Sequence, residues 1–346
     1  MPTTNPNQPP HKFLRRTLLA ACAAGAICLP AHAAEKIRFL NDWRWEGPAA
    51  PLLMAASKGY FQKEGLEVAL TPGTGSAATV AKLASGEFDM GFGDFSALIE
   101  HAGKNPAAAP PVAVYVVYER NASALFLRKT SGVPSPRQAA GKKIGAPVFD
   151  GGRKLWPLYS QMAETGDVKW ETVDAAKREE AFAKGQLDGV TGFYFTTMLN
   201  IERQGMSGGD YSVYPFYESG VRVYGNVLMV NPKFLADNPK AVERFVRAYH
   251  SALKFALNDT REAIKSLVEV DPKADAQFEW RRARLAFDRF VSTPTVQESG
   301  LGTIDMRRVQ SGIDAVSAAY KLPAKPAATA IARLDFLPPA KERSLP

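Results

Sequence analysis

A glycine-rich segment at residues 73–78 has the composition and spacing of a loop that binds a ligand through its backbone. The segment reads Gly73-Thr74-Gly75-Ser76-Ala77-Ala78, which fits the dinucleotide pattern G-x-G-x-x-A, and it lies between a predicted strand and a predicted helix. The free amides at the start of such a helix are suited to an anion. Because the following residues offer no convincing acid for a ribose, we do not expect a dinucleotide, and a plain helix N-cap stays open.

Three more loops follow predicted strands and carry polar or aromatic side chains. Gly93-Asp94-Phe95-Ser96 places Asp94 either as a helix cap or as an acceptor for a ring N–H or amino group. Phe149-Asp150-Gly151-Gly152-Arg153 is the matching loop of the second half, where Arg153 is suited to a carboxylate, phosphate or sulfonate, or to solvent. Phe193-Tyr194-Phe195 is placed for a stacking or hydroxyl contact.

The sequence gives little support for catalysis or metal binding. Neither H-E-x-x-H nor a P-loop occurs. After residue 33 the histidines are His101 and His250, on separate predicted helices. Both cysteines, Cys22 and Cys28, lie before residue 33, which excludes disulfides and cysteine nucleophiles from the rest of the chain. We therefore expect no catalytic residue, no metal and no cofactor, and predict that the protein is not an enzyme.

Short β-rich runs alternate with helical stretches along the chain and predict the elements that position these loops. This βαβα alternation is typical of an α/β protein with a largely parallel sheet and helices on both faces. Residues 84–89 (Ala-Ser-Gly-Glu-Phe-Asp) and residues 183–188 (Ala-Lys-Gly-Gln-Leu-Asp) repeat one pattern, in which a glycine ends a helix and an aspartate opens a strand. Two equivalent lobes are therefore predicted. Ligands of open parallel sheets bind beyond the carboxyl ends of the strands, so facing lobes form a cleft.

The first 33 residues have the order of a secretory signal peptide. Lys12, Arg15 and Arg16 precede an apolar run from Thr17 to Leu29, and Ala31-His32-Ala33 fits a cleavage site. The run is too short to span a membrane, so we expect a periplasmic protein exported by the Sec or the twin-arginine route. Removing three basic residues lowers the net charge from +8 to +5, and no basic run with interleaved aromatics predicts nucleic-acid binding.

Four segments of the chain resemble the periplasmic substrate-binding proteins of ABC importers. The nearest branch handles thiamine-pyrimidine precursors, nitrate, and sulfonates such as taurine. The segments are Asn41-Asp42-Trp43 with residues 56–66 (Ala-Ser-Lys-Gly-Tyr-Phe-Gln-Lys-Glu-Gly-Leu); Gly75-Ser76 with residues 83–89; residues 140–145 (Ala-Gly-Lys-Lys-Ile-Gly); and Val230-Asn231-Pro232. Together they span about residues 36–270.

The resemblance implies a type II binding-protein fold, with two α/β lobes, a ligand cleft between them and two hinge crossovers. Residues 34–126 and 226–321 are expected to form a discontinuous first lobe, and residues 127–225 the second. A Pro/Ala-rich tail follows at residues 322–346 and is expected to be extended or wrapped on the surface. Closure of the lobes buries the ligand.

The resemblance also assigns roles to particular residues. Pyrimidine-binding relatives carry an Asp-Trp pair after the first strand, which points to Asp42 and Trp43 as ligand contacts, with Trp45 as a second flat surface or as core. Gly75 and Ser76 match the ligand loop of the family. Additional candidates lie near the two crossovers and serve either the ligand or hinge salt bridges: Glu119, Arg222 and Tyr224.

These observations predict a binding protein that captures a small polar, planar, pyrimidine-like or aromatic nutrient. Its expected partners are that ligand, an ABC permease and the permease's ATPase; it meets the membrane only through the permease and is expected to be a monomer. One alternative is a binder of an organic sulfonate, carboxylate or nitrate, with Arg153 or Arg222 as the anion anchor. Others are a periplasmic sensor lobe and, least favoured, a pyrimidine-synthase-like enzyme, because the eukaryotic synthase carries a cysteine-rich motif that this chain lacks after residue 33.

Overall fold

The computed structural model describes residues 34–346, so the predicted signal peptide at residues 1–33 lies outside the described residues. The strands of the described part are β1 Glu35–Leu40, β2 Leu66–Thr71, β3 Met90–Asp94, β4 Val112–Val116, β5 Ser123–Arg128, β6 Lys143–Ala146, β7 Lys169–Thr172, β8 Gly189–Phe193, β9 Tyr211–Pro215 and β10 Asn226–Val230. Its helices are α1 Ala50–Ser57, α2 Tyr60–Lys63, α3 Ser76–Ala84, α4 Phe95–Lys104, α5 Gly151–Met162, α6 Arg178–Ala183, α7 Tyr194–Arg203, α8 Pro232–Asp237, α9 Pro239–Asn258, α10 Thr260–Val270, α11 Ala276–Ala286, α12 Pro294–Ser299, α13 Met306–Tyr320 and α14 Ala328–Ile331.

The strands form two five-stranded sheets with the same topology. The order is β2-β1-β3-β10-β4 in the first and β7-β6-β8-β5-β9 in the second, and we call the parts of the molecule around them the first and second lobe. In each sheet the first three strands are parallel, and the last two alternate in direction. The α/β, two-lobed fold is therefore confirmed, but the sheets are mixed where a largely parallel sheet was expected. The difference arises because β10 and β5 enter their sheets from the opposite lobe.

The repeated pattern at residues 84–89 and 183–188 gives the two lobes the same local geometry. Gly86 follows α3 with a φ of 78°, and Gly185 follows α6 with a φ of 74°. After each glycine, the next backbone N–H donates across the helix end, from Glu87 to the Lys82 carbonyl and from Gln186 to the Ala181 carbonyl. This left-handed helix ending favours glycine. Each turn leads the chain into the central strand of its sheet, β3 or β8.

Two adjacent crossovers join the lobes, at residues 117–122 and 216–225. They are hydrogen-bonded to each other, because the Gly225 N–H donates to the Tyr118 carbonyl over 3.0 Å. A Cβ atom at Gly225 would lie 2.5 Å from the Arg120 carbonyl oxygen, so only glycine allows this approach. The first crossover ends before β5, so the expected lobe boundary at residue 126 falls inside a strand of the second sheet.

The C-terminal third of the chain braces the first lobe and the crossovers. Helix α9 buries an apolar face that includes Phe245, which stacks on Phe39 of β1 with 5.3 Å between ring centroids. Helix α13 packs against α4 of the first lobe and α5 of the second. The tail is partly built into the structure, since Ile331 is buried and Ala332 bridges to Ala113 of β4.

Within residues 34–346 we find no helix with the length and hydropathy needed to cross a bilayer. Over the same residues, no three or more His, Cys, Asp or Glu side chains are grouped so that they could hold a metal ion.

Candidate functional site

A cleft lies between the lobes, at the carboxyl ends of β1, β3, β6 and β8. Residues from both sides line it, including Asp42 and Asp94 in the first lobe and Asp150 and Phe193 in the second. Its cavity volume is about 140 Å³, close to the ~150 Å³ of an apolar cavity that accepts one benzene ring. The cleft therefore has room for a single-ring ligand.

Asp42 is a buried acid of the cleft with a strongly shifted pKa. It lies two residues after β1, and its Oδ2 accepts hydrogen bonds from the Asn226 amide over 2.7 Å and the Ser76 hydroxyl over 3.2 Å. Burial raises the pKa of Asp42 to about 7, although these two hydrogen bonds lower it, and the neighbouring Asp94 raises it further. Near neutral pH this carboxyl group is able both to accept and to release a proton.

Asp94 lies beside Asp42 at the end of β3. Its Oδ1 accepts from the Ser96 amide over 2.7 Å, so it caps α4 as one of the two sequence interpretations predicts. Its Oδ2 accepts from the Asn121 side chain over 2.7 Å. Burial raises the pKa of Asp94 above its usual value, despite these donors.

Asn226 joins the two aspartates and offers a free acceptor. It is the first residue of β10, pairs in register with Asp94, and is fully buried. Its Nδ2 donates to Asp42, while its Oδ1 has no hydrogen-bond partner among the described residues. A buried acceptor without a donor is costly.

Aromatic rings form the other walls of the cleft. Trp43 of the first lobe faces Phe149 of the second, with 6.2 Å between ring centroids and a tilt of 42°. Deeper in the cleft, the Tyr118 ring lies between Phe92 at 5.5 Å and Phe195 at 5.8 Å. Phe149 remains 46% exposed, although it is large and apolar. An exposed aromatic ring that faces another across a cleft is suited to a planar ligand.

The second lobe contributes a buried charge cluster. Asp150 caps α5 by accepting from the Arg153 amide over 2.9 Å, and its Oδ2 pairs with Arg178 at 3.1 Å. Arg178 also pairs with Glu179 at 2.6 Å and donates to the Thr197 hydroxyl over 3.0 Å. Arg178 is 7% exposed, so its charge is compensated almost entirely by protein groups.

Polar contacts also connect the lobes across the cleft. Lys154 of α5 pairs with Glu100 of α4 at 3.2 Å. The Thr196 hydroxyl of α7 donates to Glu46 over 2.6 Å, and the buried Arg282 lies 3.3 Å from the same carboxylate. These contacts link the two lobes across the cleft.

The structure brings six of the predicted site residues together in the wall of the cleft. They are Asp42, Trp43, Gly75, Ser76, Asp94 and Asp150. The remaining predicted residues lie outside its lining. Trp45 packs against the hydrophobic core, and Tyr194 packs on Phe290 with 5.9 Å between ring centroids. Arg153 donates to the Ala146 carbonyl over 3.0 Å and lies over Trp170.

The three predicted residues near the crossovers contact Arg308 of α13. Arg308 donates to the Glu119 carboxylate, and to the Arg222 carbonyl over 3.1 Å, while its guanidinium lies 4.2 Å from the centre of the Tyr224 ring. Phe95, another predicted site residue, packs edge-on against Tyr224. The side chain of Arg222 is exposed. These contacts agree with the hinge role considered for Glu119, Arg222 and Tyr224.

Sequence reasoning did not select Asn226, Glu46 or Arg178 as site residues. Asn226 had a local signal, because it is a polar residue within the apolar run at residues 221–230. Glu46 had none, since its contact with the second lobe is to Thr196, 150 residues later. Arg178 had none, since its contact with Asp150 spans 28 residues.

Residues 48–263 match the family model described as NMT1/THI5 like, which is more than half of the chain. The chain belongs to this family. The predicted kinship with the thiamine-pyrimidine type of binding protein is therefore confirmed.

Individual proteins agree with this assignment. The chain is 27% identical over 247 residues to 4-amino-5-hydroxymethyl-2-methylpyrimidine phosphate synthase of Aspergillus parasiticus, which covers 69% of the chain and 71% of that relative. The alkanesulfonate-binding protein SsuA from Xanthomonas axonopodis pv. citri, solved with MOPS, has a TM-score of 0.66 and 15% identity over 87% of this chain and all of its own. A zinc-bound ligand-binding component of an ABC-type import system from Staphylococcus aureus has a TM-score of 0.66 and 14% identity over 90% of this chain and all of its own. These two structures confirm the predicted binding-protein fold.

One prediction needs correction. The expectation that the protein is not an enzyme is contradicted by its curated relatives, because several carry the name of a pyrimidine phosphate synthase, an enzyme. That expectation depended on missing motifs and missing cysteines. Absence of a recognised motif does not exclude a reaction when the catalytic groups come from distant parts of the fold.

Proposed function

We propose that this protein is an exported solute-binding protein that captures a small planar nutrient of pyrimidine type and delivers it to an ABC permease. The proposal includes the ATPase of that permease as an indirect partner, contact with the membrane only through the permease, and a monomeric binding protein. The proposal also includes the expected division of the chain. Residues 34–126 and 226–321 are assigned to the first lobe, residues 127–225 to the second and residues 322–346 to the tail, and the first crossover is placed at residues 117–122.

The observation that carries the proposal is the composition of the cleft wall. Trp43 and Phe149 offer flat apolar surfaces from opposite lobes, and Asp42 with Asn226 adds buried polar groups to the same cleft wall. A planar heterocycle needs both kinds of contact, since its faces are apolar and its edge carries donors and acceptors. A cavity volume of about 140 Å³ supports one ring rather than several.

Delivery to a permease is supported by the lobe-spanning contacts and by the import-system protein with the same fold. A transporter component must release its ligand when the lobes separate. Several contacts between the lobes are polar, and one of them, Lys154 with Glu100, is partly exposed. Such contacts form and break at low cost.

Two measurements test the proposal. Native mass spectrometry of the purified protein should detect a co-purified small molecule, and titration calorimetry should then show saturable binding of single-ring pyrimidines. Ligand at a hundred times its dissociation constant should stabilise the fold by ~2.7 kcal/mol. Deleting the gene should abolish uptake of the same compound by cells. Binding without loss of uptake would refute the transport role.

A second candidate, synthesis of the pyrimidine phosphate, is favoured by the names of the curated relatives. The test is to add purified protein to a small-molecule extract of cells and to quantify 4-amino-5-hydroxymethyl-2-methylpyrimidine phosphate by mass spectrometry. A rise above the extract alone, abolished in Asp42→Asn, would establish the synthase reaction. An unchanged level would favour capture.

A further inference from the structure

Arg282 of α11 is a buried cation that reaches from the first lobe into the second. The residue is 1% exposed. Its Nη1 donates to the Thr196 carbonyl over 3.3 Å and its Nη2 to the Asn200 side-chain oxygen over 3.2 Å, and both of these partners lie in α7 of the second lobe. Its acidic partners are in the first lobe, Glu279 at 3.0 Å and Glu46 at 3.3 Å. The guanidinium is therefore shared between the lobes.

A close approach at Gly47 fixes the first-lobe side of this contact. The Gly47 amide donates to Glu279 Oε2 over 2.7 Å. A Cβ atom at Gly47 would lie 2.0 Å from the Glu279 carbonyl oxygen, so a residue with a side chain could not come this close to α11. Because Glu46 directly precedes this glycine, its carboxylate is held beside Arg282.

The second-lobe side of the contact is one face of α7. Thr196, Asn200 and Arg203 are spaced by four and three residues, so they lie on the same face of that helix. The Thr196 hydroxyl donates to Glu46 over 2.6 Å, and the Arg203 guanidinium lies 3.5 Å from the centre of the Phe278 ring in α11. Three positions on this face of α7 therefore meet the first lobe, and Arg282 contacts two of them.

The partners of Arg282 suit a contact that forms when the lobes close and breaks when they separate. Arg178 is also buried, but its partners Asp150, Glu179 and Thr197 all lie in its own lobe. Arg282 keeps its acids in the first lobe and meets neutral acceptors in the second. A buried charge is costly when its counter-ion is removed. Movement of α7 away from Arg282 leaves both counter-ions in place, so the contact can break without this cost.

Arg282 acts on the cleft through two other residues. Glu46 and Thr196 line the cleft, whereas Arg282 is buried behind its wall. We propose that Arg282 is a positioning residue for ligand capture, which holds α7 against the first lobe through Glu46 and Thr196 and so sets how far the cleft closes. This inference rests on the proposed capture of a ligand between the lobes, and it names a residue that controls closure of that site.

The distance between the lobes tests the proposal without a ligand. Residues 34–346 contain no cysteine, so spin labels can be attached at Ala81→Cys in α3 and Gln161→Cys in α5, which are exposed positions in opposite lobes. Pulsed electron paramagnetic resonance then measures the distribution of distances between the labels. We compare the labelled protein with the same protein carrying Arg282→Lys.

Arg282→Lys separates the two halves of the contact. A lysine keeps a positive charge beside Glu46 and Glu279, but it lacks the planar fork that donates to Thr196 and Asn200 together. We therefore expect a population with a longer distance between the labels. Identical distributions with arginine and with lysine at this position overturn the proposal.

Two further variants control for general loosening and for failure to fold. Arg284→Lys makes the same change in the same helix, where the partners are the Leu257 carbonyl and Asp288 outside the second lobe, and should leave the distances unchanged. An equal shift in this control overturns the proposal. Asn200→Ala removes an acceptor of the second lobe and leaves Arg282 with both acids, so a smaller shift to longer distances is expected. If Arg282→Lys does not fold, Asn200→Ala decides.

Ligand affinity links the distance to capture. Titration calorimetry uses 4-amino-5-hydroxymethyl-2-methylpyrimidine as the probe. We expect its dissociation constant to rise about tenfold in Arg282→Lys, because apparent affinity falls with the fraction of molecules in the closed arrangement, and to stay unchanged in Arg284→Lys. Equal dissociation constants in the wild type and Arg282→Lys overturn the proposed role of Arg282 but leave ligand capture intact. Absence of binding to the wild type counts against the proposed function, and the label distances then decide the role of Arg282 alone.

Discussion

The carboxylates on the two sides of the cleft are held by different kinds of donor. Asp42 in the first lobe accepts from neutral groups, the Asn226 amide and the Ser76 hydroxyl. Asp150 in the second lobe accepts from the Thr191 hydroxyl and also pairs with the buried Arg178. Neutral donors do not cancel a buried charge, and burial accordingly raises the pKa of Asp42 to about 7. The Arg178 guanidinium, in contrast, compensates the negative charge of Asp150.

This difference indicates a division of labour between the lobes. The first lobe keeps an incompletely satisfied polar group, Asn226, and an unfavourably buried acid, Asp42, in the cleft wall. In the second lobe, Thr191 and Arg178 satisfy the Asp150 carboxylate, and Phe149 faces Trp43 across the cleft. Ligand-binding groups are commonly arranged at some expense in stability, and here Asp42 carries part of that expense.

The largest effect is expected from breaking the charge cluster of the second lobe. Arg178→Met leaves Asp150 and Glu179 buried without their cation, which should lower the free energy of unfolding by about 3 to 5 kcal/mol. Chemical denaturation measures the loss. Lys184→Met, in an exposed ion pair just after the same helix, is the control and should cost under about 1 kcal/mol. Similar losses in both variants would show that burial of the Arg178 cluster adds nothing to its effect on stability.

Removing the Asp42 carboxylate of the first lobe should raise the free energy of unfolding, whereas Arg178→Met lowers it, and the effect should depend on pH. Between pH 3.8 and about 7 the unfolded chain releases the Asp42 proton while the folded chain retains it, so folding stability falls as pH rises through this window. Asp42→Asn should therefore stabilise the ligand-free protein above about pH 7, by on the order of 4 kcal/mol at most, since one pKa unit is about 1.4 kcal/mol.

Thermal denaturation of Asp42→Asn and the wild type at about pH 4 and about pH 8 checks this expectation. The two proteins should be close in stability at the lower pH, because the unfolded carboxyl group is near the midpoint of its titration there and little of the pH-dependent difference has developed. A variant that is less stable than the wild type at the higher pH would show that the Asp42 charge is compensated.

The aromatic part of the comparison concerns two tryptophans of the first lobe. Trp43 lines the cleft and Trp45 packs against the core. Trp43→Ala should weaken binding of a planar ligand about tenfold or more, because stacking contributes ~0.5 to 1.5 kcal/mol beyond the buried area. Trp45→Ala should instead lower the melting temperature and leave the affinity of the folded fraction almost unchanged. Calorimetry with and without ligand distinguishes them, and the reverse pattern would refute stacking at Trp43.

The smallest expected effect concerns the ion pair that spans the cleft. Lys154 is partly exposed, and Glu100 keeps Lys104 as a second partner, so Lys154→Met leaves no acid unpaired. We expect ligand affinity to fall about two- to fivefold, in line with ~0.5 to 1 kcal/mol for such a pair, with little change in stability. Stability should be measured in the ligand-free protein. A loss of stability larger than the loss of affinity would show that this pair stabilises the ligand-free fold rather than the closed cleft.

Local sequence determined the parts of the site that depend on strand ends and helix starts. Asp42, Gly75, Ser76, Asp94 and Asp150 each lie within two residues of a strand end or a helix start, and the period-two and helical patterns place those points well. The duplicated glycine turns at residues 86 and 185 likewise predicted two equivalent lobes. In these cases the physical cause, a backbone conformation or an unpaired helix amide, lies within a few residues of its effect.

Contacts made by the return of the chain needed the folded structure. Asn226 meets Asp42 across 184 residues, because β10 crosses back from the second lobe and pairs with β3. The same return makes the sheets mixed, which the alternation of elements could not reveal. Arg178 and Arg153 look alike in sequence, but Arg178 is buried against acids and Arg153 lies over Trp170. Which arginine is buried depends on the packing of α6 and α5 on their sheet, and no local pattern records that packing.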